Sequence, residues 1–449
     1  MKSSPPSPRH SSVWTTWRWL RAPYPYLDQL ARELGETFTL RLFGLRLFVF
    51  SNPEHVKEVF GDSGELLQAG RFNTTLAPLL GDRSVLMADG RAHRRKRKLL
   101  LPPFHGERMQ VYGRTMLEAT DDAIDALPHG EPFSFHDPMQ DITLRVIIRS
   151  VFGFDGAREA RMAENLKRVL ELGAWPPLLI PFMRVDLGRL THFGRFRRAV
   201  DAADALLYEE IRRRRRDGTR GPDVLSLLLD ARDDDGQPMS DEELRDELVT
   251  LLVAGHETTA TGLTWAMRWL LESPQVLGDL AEEVRALGPE PRADALAKCE
   301  LLDATAREAL RLVPTIPLVG RVLAADQTIG GHDLKKGDVV VCSIYLAQRR
   351  PDVYPAPERF DPRRFLGKKM SASEFFPFGG GVRRCIGMAF ALYEMKMVLA
   401  RFVARTELEL EARSLGMTRR SITITPTDGL RVVLRRRRPR PTGASRDAA

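Results

Sequence analysis

The sequence predicts a single large, mostly helical domain with small β-sheets, an α+β chain. Three observations predict it. One continuous helical pattern runs from Ser240 to about Ser273, just before Pro274; at a 1.5 Å rise per residue it spans roughly 50 Å, the width of a whole domain. The stretches that alternate as strands are short and scattered, at residues 37–43, 45–50, 339–343 and 421–425. Nothing in the 449 residues, 43% of them hydrophobic, marks a domain boundary: no Pro/Ser-rich linker, no break in composition and no internal repeat. Length alone suggests about three domains, but without a boundary one large core is expected.

Taken in order, residues 1–19 read as a flexible N-terminal segment. Residues 1–10 are Pro/Ser-rich and lack the apolar core of a secretory signal. No run approaches the about 18 apolar residues of a membrane span. From Pro23 to Phe60 the pattern reads helix, β-hairpin turning at Gly44, then helix behind Asn52. Residues 89–101 open a basic helix on which His93 and Arg97, four apart, share one face; by themselves they are equally an ordinary surface helix. Between residues 153 and 216, two helical stretches flank Trp175 to Phe182, where Pro176, Pro177 and Pro181 forbid a continuous helix. That apolar break is either a mobile lid or ordinary core. A short helix at 224–229 and a polar loop at 233–238 follow.

The long helix opens with Ser240-x-x-Glu243, a capping box in which hydroxyl and carboxylate satisfy each other's end donors. Its middle carries Ala254-Gly255-His256-Glu257-Thr258-Thr259. A polar cluster inside a buried helix costs stability unless it is satisfied or used. Ala254 and Gly255 leave room beside the helix, and Thr258 can bond back to the Ala254 carbonyl and open the ladder. The plain alternative is a kink with buried threonines. A zinc helix is excluded, because Ala260 stands where H-E-x-x-H needs its second histidine. A helix over 303–312 carries Glu308-x-x-Arg311, an i,i+3 pair that is common on helices. A hairpin at Gly330-Gly331 and the strand 339–343 follow.

Residues 376–389, Phe-Pro-Phe-Gly-Gly-Gly-Val-Arg-Arg-Cys-Ile-Gly-Met-Ala, place one cysteine in a glycine-rich loop ahead of a helix over 388–401. Three glycines let backbone approach a flat object closely. The first N–H groups of the helix favour a Cys385 thiolate. A thiolate with no second cysteine nearby suits a single metal, haem iron foremost; a buried structural cysteine after a turn is the other reading. Cys299, Cys342 and Cys385 are too few for a disulfide framework and point to a reducing compartment. The net charge of +8, from 68 basic and 60 acidic residues, gathers at 94–98, 212–216 and 435–438. No aromatic residues interleave these runs as a nucleic-acid platform would need, so nucleic-acid binding is not expected. The last two read as a solvated helix end and a disordered basic tail, the tail spanning 436–449.

Phe378, Gly381, Arg383, Cys385 and Gly387 fill every fixed position of F-x-x-G-x-R-x-C-x-G. In this the chain resembles the cytochrome P450 haem-thiolate monooxygenases. The resemblance extends to Ala254 to Thr259 against A/G-G-x-D/E-T-T, to His93-x-x-x-Arg97, to Glu308-x-x-Arg311 with Pro314, Pro317 and Arg321, and to Pro357-Glu358-Arg359-Phe360. Gln348-Arg349 departs from the His-Arg of many members. The family's order of motifs covers residues 20–435, which would form one haem domain of the cytochrome P450 fold, haem lying between the long helix and the Cys385 loop.

The resemblance implies haem b with Cys385 as its axial iron ligand and Phe378 packed by the sulfur. Gly379, Gly387, Ala254 and Gly255 would contact the haem, and His93, Arg97, Arg321 and Arg383 would meet its propionates. Glu257 and Thr258 would deliver protons during dioxygen reduction. Glu308, Arg311 and Arg359 would brace the proximal side, while Ala254, Ile316, Leu318 and Val319 would line a pocket for a small apolar substrate. With no flavin or nicotinamide fingerprint in the chain, electrons from NAD(P)H would arrive through a reductase and a ferredoxin or flavodoxin. That partner would dock on a basic face bearing Arg94, Arg95 and Lys98. The expected product is a monomeric, cytoplasmic, bacterial-type enzyme hydroxylating or epoxidising an apolar molecule. A peroxide-driven peroxygenase, a non-oxidative haem-thiolate isomerase or dehydratase, and a haem-binding sensor are the alternatives.

Overall fold

The computed structural model describes residues 4–440 apart from 43, 105, 107, 176–177, 179–182, 412–415 and 421. Its axis is the central helix Asp241–Glu272. Ser240 caps it, the hydroxyl accepting the Glu243 N–H while the Glu243 side chain accepts the Ser240 N–H. That reciprocal pair fixes where the helix begins. The helix is buried on most of its circumference, as expected for one threaded through a core rather than laid on it. Helix His136–Phe152 packs along it, and the cysteine helix Met388–Arg405 and helix Glu300–Leu312 pack against it further along.

The small sheets sit at the edges of this helical body. The largest has five strands in the order 37–42, 45–50, 339–343, 318–323, 67–68. Its first hairpin turns at Gly44, whose φ of 79° suits a residue without Cβ. Strand Val339–Ser343 is buried at every position, because it runs parallel to Leu45–Phe50 and antiparallel to Leu318–Leu323. Asn52 and Pro53 start the next helix as predicted, with the Asn52 side chain accepting the Glu54 N–H at 2.9 Å. A three-stranded sheet joins 132–134, 431–437 and 406–410. Two further hairpins are 327–329 with 332–334, and 417–420 with 423–426.

Three expectations need correction. Residues 12–21 are not a flexible leader: Ser12–Arg21 is a helix capped by Ser11, and Trp19 is buried. Even Pro5 and Pro6 are tied in, their carbonyls accepting the Thr39 hydroxyl and N–H at 3.0 and 2.7 Å. The basic run at 435–438 is not a loose tail either. Its strand extends to Arg437, and Arg435 and Arg438 pair with Glu409 and Glu407; the rest of the expected tail, 441–449, lies outside the described residues. Arg214, expected on a solvated helix end, is buried and bound by Glu210 and Asp223 at 2.6 and 2.7 Å. Most of the expected lid at 175–182 also falls outside the described residues.

Candidate active site

The Cys385 loop is built by its own backbone. The Cys385 N–H donates to the Phe378 carbonyl at 2.9 Å, and the Gly379 N–H to Phe376 at 2.8 Å. The Cys385 sulfur accepts the Gly387 N–H, and Gly387 caps the cysteine helix. The predicted encounter of sulfur and helix N-terminus is therefore present. Its effect on the proton is smaller than expected: burial pushes the thiol up, and Gly387 and Arg97 offset this only in part. A thiolate here requires a metal to hold it, since coordination deprotonates a thiol outright. Cys385 is closely surrounded by protein and yet accessible, as a side chain lining an internal cleft must be. Across the central helix, Ala254 is also exposed although the helix is otherwise sunk in the core.

The glycines of the loop serve two different purposes. A Cβ on Gly380 would lie 2.1 Å from the Phe60 ring, and one on Gly381 2.3 Å from the Phe60 carbonyl oxygen. Those two are glycine because the helix Pro53–Gly61 packs on them, not because a flat group does. At Gly387 a Cβ would meet nothing within 4 Å, and at Gly379 only Val319 at 3.9 Å. Protein packing therefore does not demand bareness at Gly387, while Gly379, at a φ of 67°, is glycine for its backbone conformation. Gly255, expected beside the cofactor, instead faces helix His136–Phe152, with Ile147 3.1 Å from its would-be Cβ.

Cations gather beside the cleft, and two of them, Arg97 and Arg321, have no acid paired with them among the described residues. Burial first, then the charges of Arg383, Arg97 and Arg321, push His93 down to about 3. Burial also lowers Arg97 and Arg321. Neither arginine has an ion pair among the described residues; Arg321, buried, donates only to the Gly320 carbonyl at 2.7 Å. An uncompensated buried cation such as Arg321 is costly, and two propionates would satisfy it and the half-buried Arg97. Arg383 behaves differently from the expectation: it is bound to Asp89 and to the Val85 and Ala88 carbonyls, leaving its Nε without a hydrogen-bond partner. Cys385, the accessible Ala254, open Gly387 and this cationic rim together fit a flat dianionic metal group with one thiolate ligand. Phe378, half-buried against the main core, holds the loop on its near side.

Thr258 donates to the Ala254 carbonyl at 2.6 Å, as its spacing predicts. Glu257 is turned toward helix His136–Phe152, where Gln140 donates to one carboxylate oxygen at 2.7 Å and His136 lies 3.4 Å from the other. Burial raises this carboxyl, but His136 and Gln140 together hold it below its ordinary value. His256 is buried and bonded to Thr143 at 2.9 Å, a structural histidine as expected. Ile316, Leu318 and Val319 are half-buried, at or just before the strand that carries Arg321. Ile424 lies beside them, its N–H donating to the Thr315 carbonyl and its own carbonyl accepting from Trp265 of the central helix.

The expected buried ion pair is present, with its third member changed. Glu308 and Arg311 are fully buried and paired at 2.7 Å. The third side chain is Arg364, whose Nε meets Glu308 at 3.1 Å; Arg359 is exposed and contributes only its carbonyl. Arg364 sits in a helical turn over Pro362–Phe365, which Pro362 starts, and Phe360-x-Pro362-x-Arg364-Phe365 was the signal available in the sequence. Gln348 is a second such residue. Its amide donates to the Leu310 and Arg311 carbonyls and accepts the Phe376 N–H, joining the ion-pair helix to the cysteine loop.

The expected basic docking face is largely neutralised. Arg94 pairs with Glu65 at 2.9 Å, Arg95 with Asp233 and Glu243 at 2.6 and 2.9 Å, and Lys98 with Asp234. Arg91 and Arg384 stay exposed with no ion pair among the described residues.

Comparison with known proteins agrees with this geometry. The family model described as Cytochrome P450 matches residues 5–430. A Mycobacterium tuberculosis protein named "Putative cytochrome P450 135B1" is 40% identical over 414 residues, 91% of this chain and 86% of its own length. The solved structure "Retinoic acid bound cyanobacterial CYP120A1" superposes with a TM-score of 0.85 at 27% identity, covering 96% of this chain and 99% of that one. The heme domain of cytochrome P450DA does so with a TM-score of 0.85 at 29% identity, covering 97% and 98%.

Proposed function

The chain belongs to the cytochrome P450 family, and from that premise we propose that it inserts one oxygen atom of dioxygen into a small apolar molecule, with Glu257 and Thr258 managing the protons. When bound, the haem would supply dioxygen activation, and the Cys385 thiolate that would hold its iron would donate electron density to it. The chain's own part is to hold that sulfur, meet the propionates and govern water and protons above the ring. Arg97, Arg321 and His93 would form the rim that meets the propionates. Cys385 is fixed by the Phe378 carbonyl and the Gly387 N–H.

One observation carries the proton assignment: the bond from Thr258 to the Ala254 carbonyl. A hydroxyl has one proton to donate. With that proton committed, the Thr258 oxygen acts as an acceptor, so it holds a water whose own proton points into the cleft. Glu257, next in the chain, is the acid that recharges such a water after its carboxylate leaves Gln140 or exchanges through solvent.

Ala254, Ile316 and Leu318 would offer apolar surface to a substrate, while Val319, next along the strand, packs against the second core cluster; such surface suits a fatty-acid, terpenoid or steroid-like molecule, and retinoic acid, bound by one structural neighbour, has that character. Electrons would come from NAD(P)H through a reductase and a separate ferredoxin or flavodoxin. Arg91 and Arg384 are the exposed cations available to steer that partner. Among the described residues no helix is long and apolar enough to cross a membrane, and three free cysteines suit a reducing cytoplasm.

The test is turnover of an apolar substrate panel under labelled dioxygen with a surrogate ferredoxin and reductase. One labelled oxygen per product supports the reading. Product formed from peroxide but never from dioxygen and reductant contradicts it and favours a peroxygenase.

A further inference from the structure

Helix His136–Phe152 brings to Glu257 a histidine that none of the motifs contains. His136 is fully buried. Its Nδ1 lies 3.0 Å from the Thr264 hydroxyl, and its Nε2 lies 3.4 Å from Glu257 Oε1. Thr264 is one helical turn from Ala260 and donates to that carbonyl at 2.8 Å. Its single proton is thereby used, so at His136 it can only accept, and Nδ1 must carry a hydrogen. A neutral imidazole then presents a bare Nε2 lone pair to a carboxylate oxygen. Neither atom has a hydrogen-bond partner among the described residues, and both are buried. Two facing acceptors in a buried site are untenable without a proton between them. The second carboxylate oxygen is occupied by Gln140 at 2.7 Å, so it does not relieve the first.

We infer that His136 is a positioning residue for the proton-delivering acid: it shares one proton with Glu257 and fixes that carboxylate on helix His136–Phe152. This rests on the reading of Glu257 given above. The His136 ring is enclosed, the residue having no exposed surface. It is therefore an anchor and not an entry channel. The shared proton lies between Nε2 and Oε1; when Glu257 turns toward the cleft as the acid, the proton goes with Oε1 and the imidazole remains neutral. When Glu257 returns ionised and is recharged from solvent, the pair is restored with no net change in charge.

The direct readout is nitrogen NMR of the holoprotein, labelled at its nine histidines, in the diamagnetic ferrous carbon-monoxide form. His136→Gln identifies the signal by its loss. The inference expects Nδ1 protonated, with Nε2 shifted toward the protonated range and returning to the bare-nitrogen range in Glu257→Gln. A bare Nδ1 with a fixed Nε2–H overturns it, because Thr264 would then be the donor and no proton is shared. A second readout is the share of electrons lost as peroxide. His136→Phe should raise it several-fold, and His136→Gln, which keeps a donor toward Glu257, should recover most of the loss. If Glu257→Gln raises that share and His136→Phe does not, the anchor is refuted while Glu257 stands. If Glu257→Gln does not raise it, the reading of Glu257 itself fails, and the NMR result still decides the shared proton.

Discussion

Replacing Arg364 by alanine should destabilise the protein, and replacing Arg359 should not. Glu308 is an ionised side chain with no solvent exposure. It is held by Arg311 at 2.7 Å, by the Asp361 N–H at 2.9 Å and by Arg364 Nε at 3.1 Å. Removing Arg364 deletes one charge-assisted bond to a buried carboxylate, which costs about 2 kcal/mol. Arg364 also donates to the carbonyls of Pro355, Ala356 and Arg359 at 2.8, 3.1 and 3.4 Å. Those contacts are exposed enough for water to replace, so they add little. Arg311→Ala leaves the carboxylate without its principal counter-ion and should cost about 4 kcal/mol. The exposed Arg359 side chain should cost under about 0.5 kcal/mol. Urea unfolding of the holoprotein, followed by tryptophan fluorescence at constant slope, measures all three. Equal losses for Arg359→Ala and Arg364→Ala would refute the assignment of Arg364 as the third member.

Other consequences are as direct. Gly381→Ala should prevent stable haem loading, because its Cβ would meet the Phe60 backbone carbonyl and the residue holds a φ of 61°; the haem-to-protein absorbance ratio of purified protein reports this. Gly387→Ala should be the reverse case, folding normally without haem because nothing stands within 4 Å of the new Cβ, while haem loading falls. Arg97→Ala should weaken haem retention by roughly tenfold or more, the loss of one charged contact of about 1.5–3 kcal/mol, whereas Arg94→Ala, paired with Glu65, should change it little; transfer of haem to an acceptor protein gives the rates. Burial raises the Glu247 carboxyl to about 7 against the opposing pull of Lys96. A raised acid favours the folded state below its unfolded value and loses that contribution as pH climbs through the folded value. The stability of the unmodified protein relative to Glu247→Gln should therefore fall between about pH 4.5 and 7, read as the shift in urea midpoint.

The parts of the site legible in the sequence were those fixed by backbone geometry. The capping box at Ser240, the back-bond at Thr258 and the Cys385 turn are local, and short-range spacing determines each one. What escaped depends on partners distant in the chain. Gly255 faces Ile147, and Gly380 and Gly381 are small because of Phe60; a glycine's neighbour cannot be read from its own segment. Arg383 meets Asp89, 294 positions away, so its charge is shared before any propionate arrives. Charge runs misled for the same reason. Arg95 and Lys98 look like a free basic face until the loop bearing Asp233 and Asp234 folds onto them. His136 carries no motif at all, and only the packing of its helix on the central helix reveals it. Arg364 was legible in Pro362 to Phe365, but the nearby Glu358-Arg359 pair offered the same residue types five positions earlier.

The central claim is that the Cys385 sulfur is bonded to haem iron, and the reduced protein under carbon monoxide tests it most directly. The unmodified chain should show the long-wavelength Soret band of a thiolate opposite the bound gas. Cys385→Ser, with a harder ligand atom in the same turn, should lose that band even where haem is retained. A band unchanged in the variant would contradict the account.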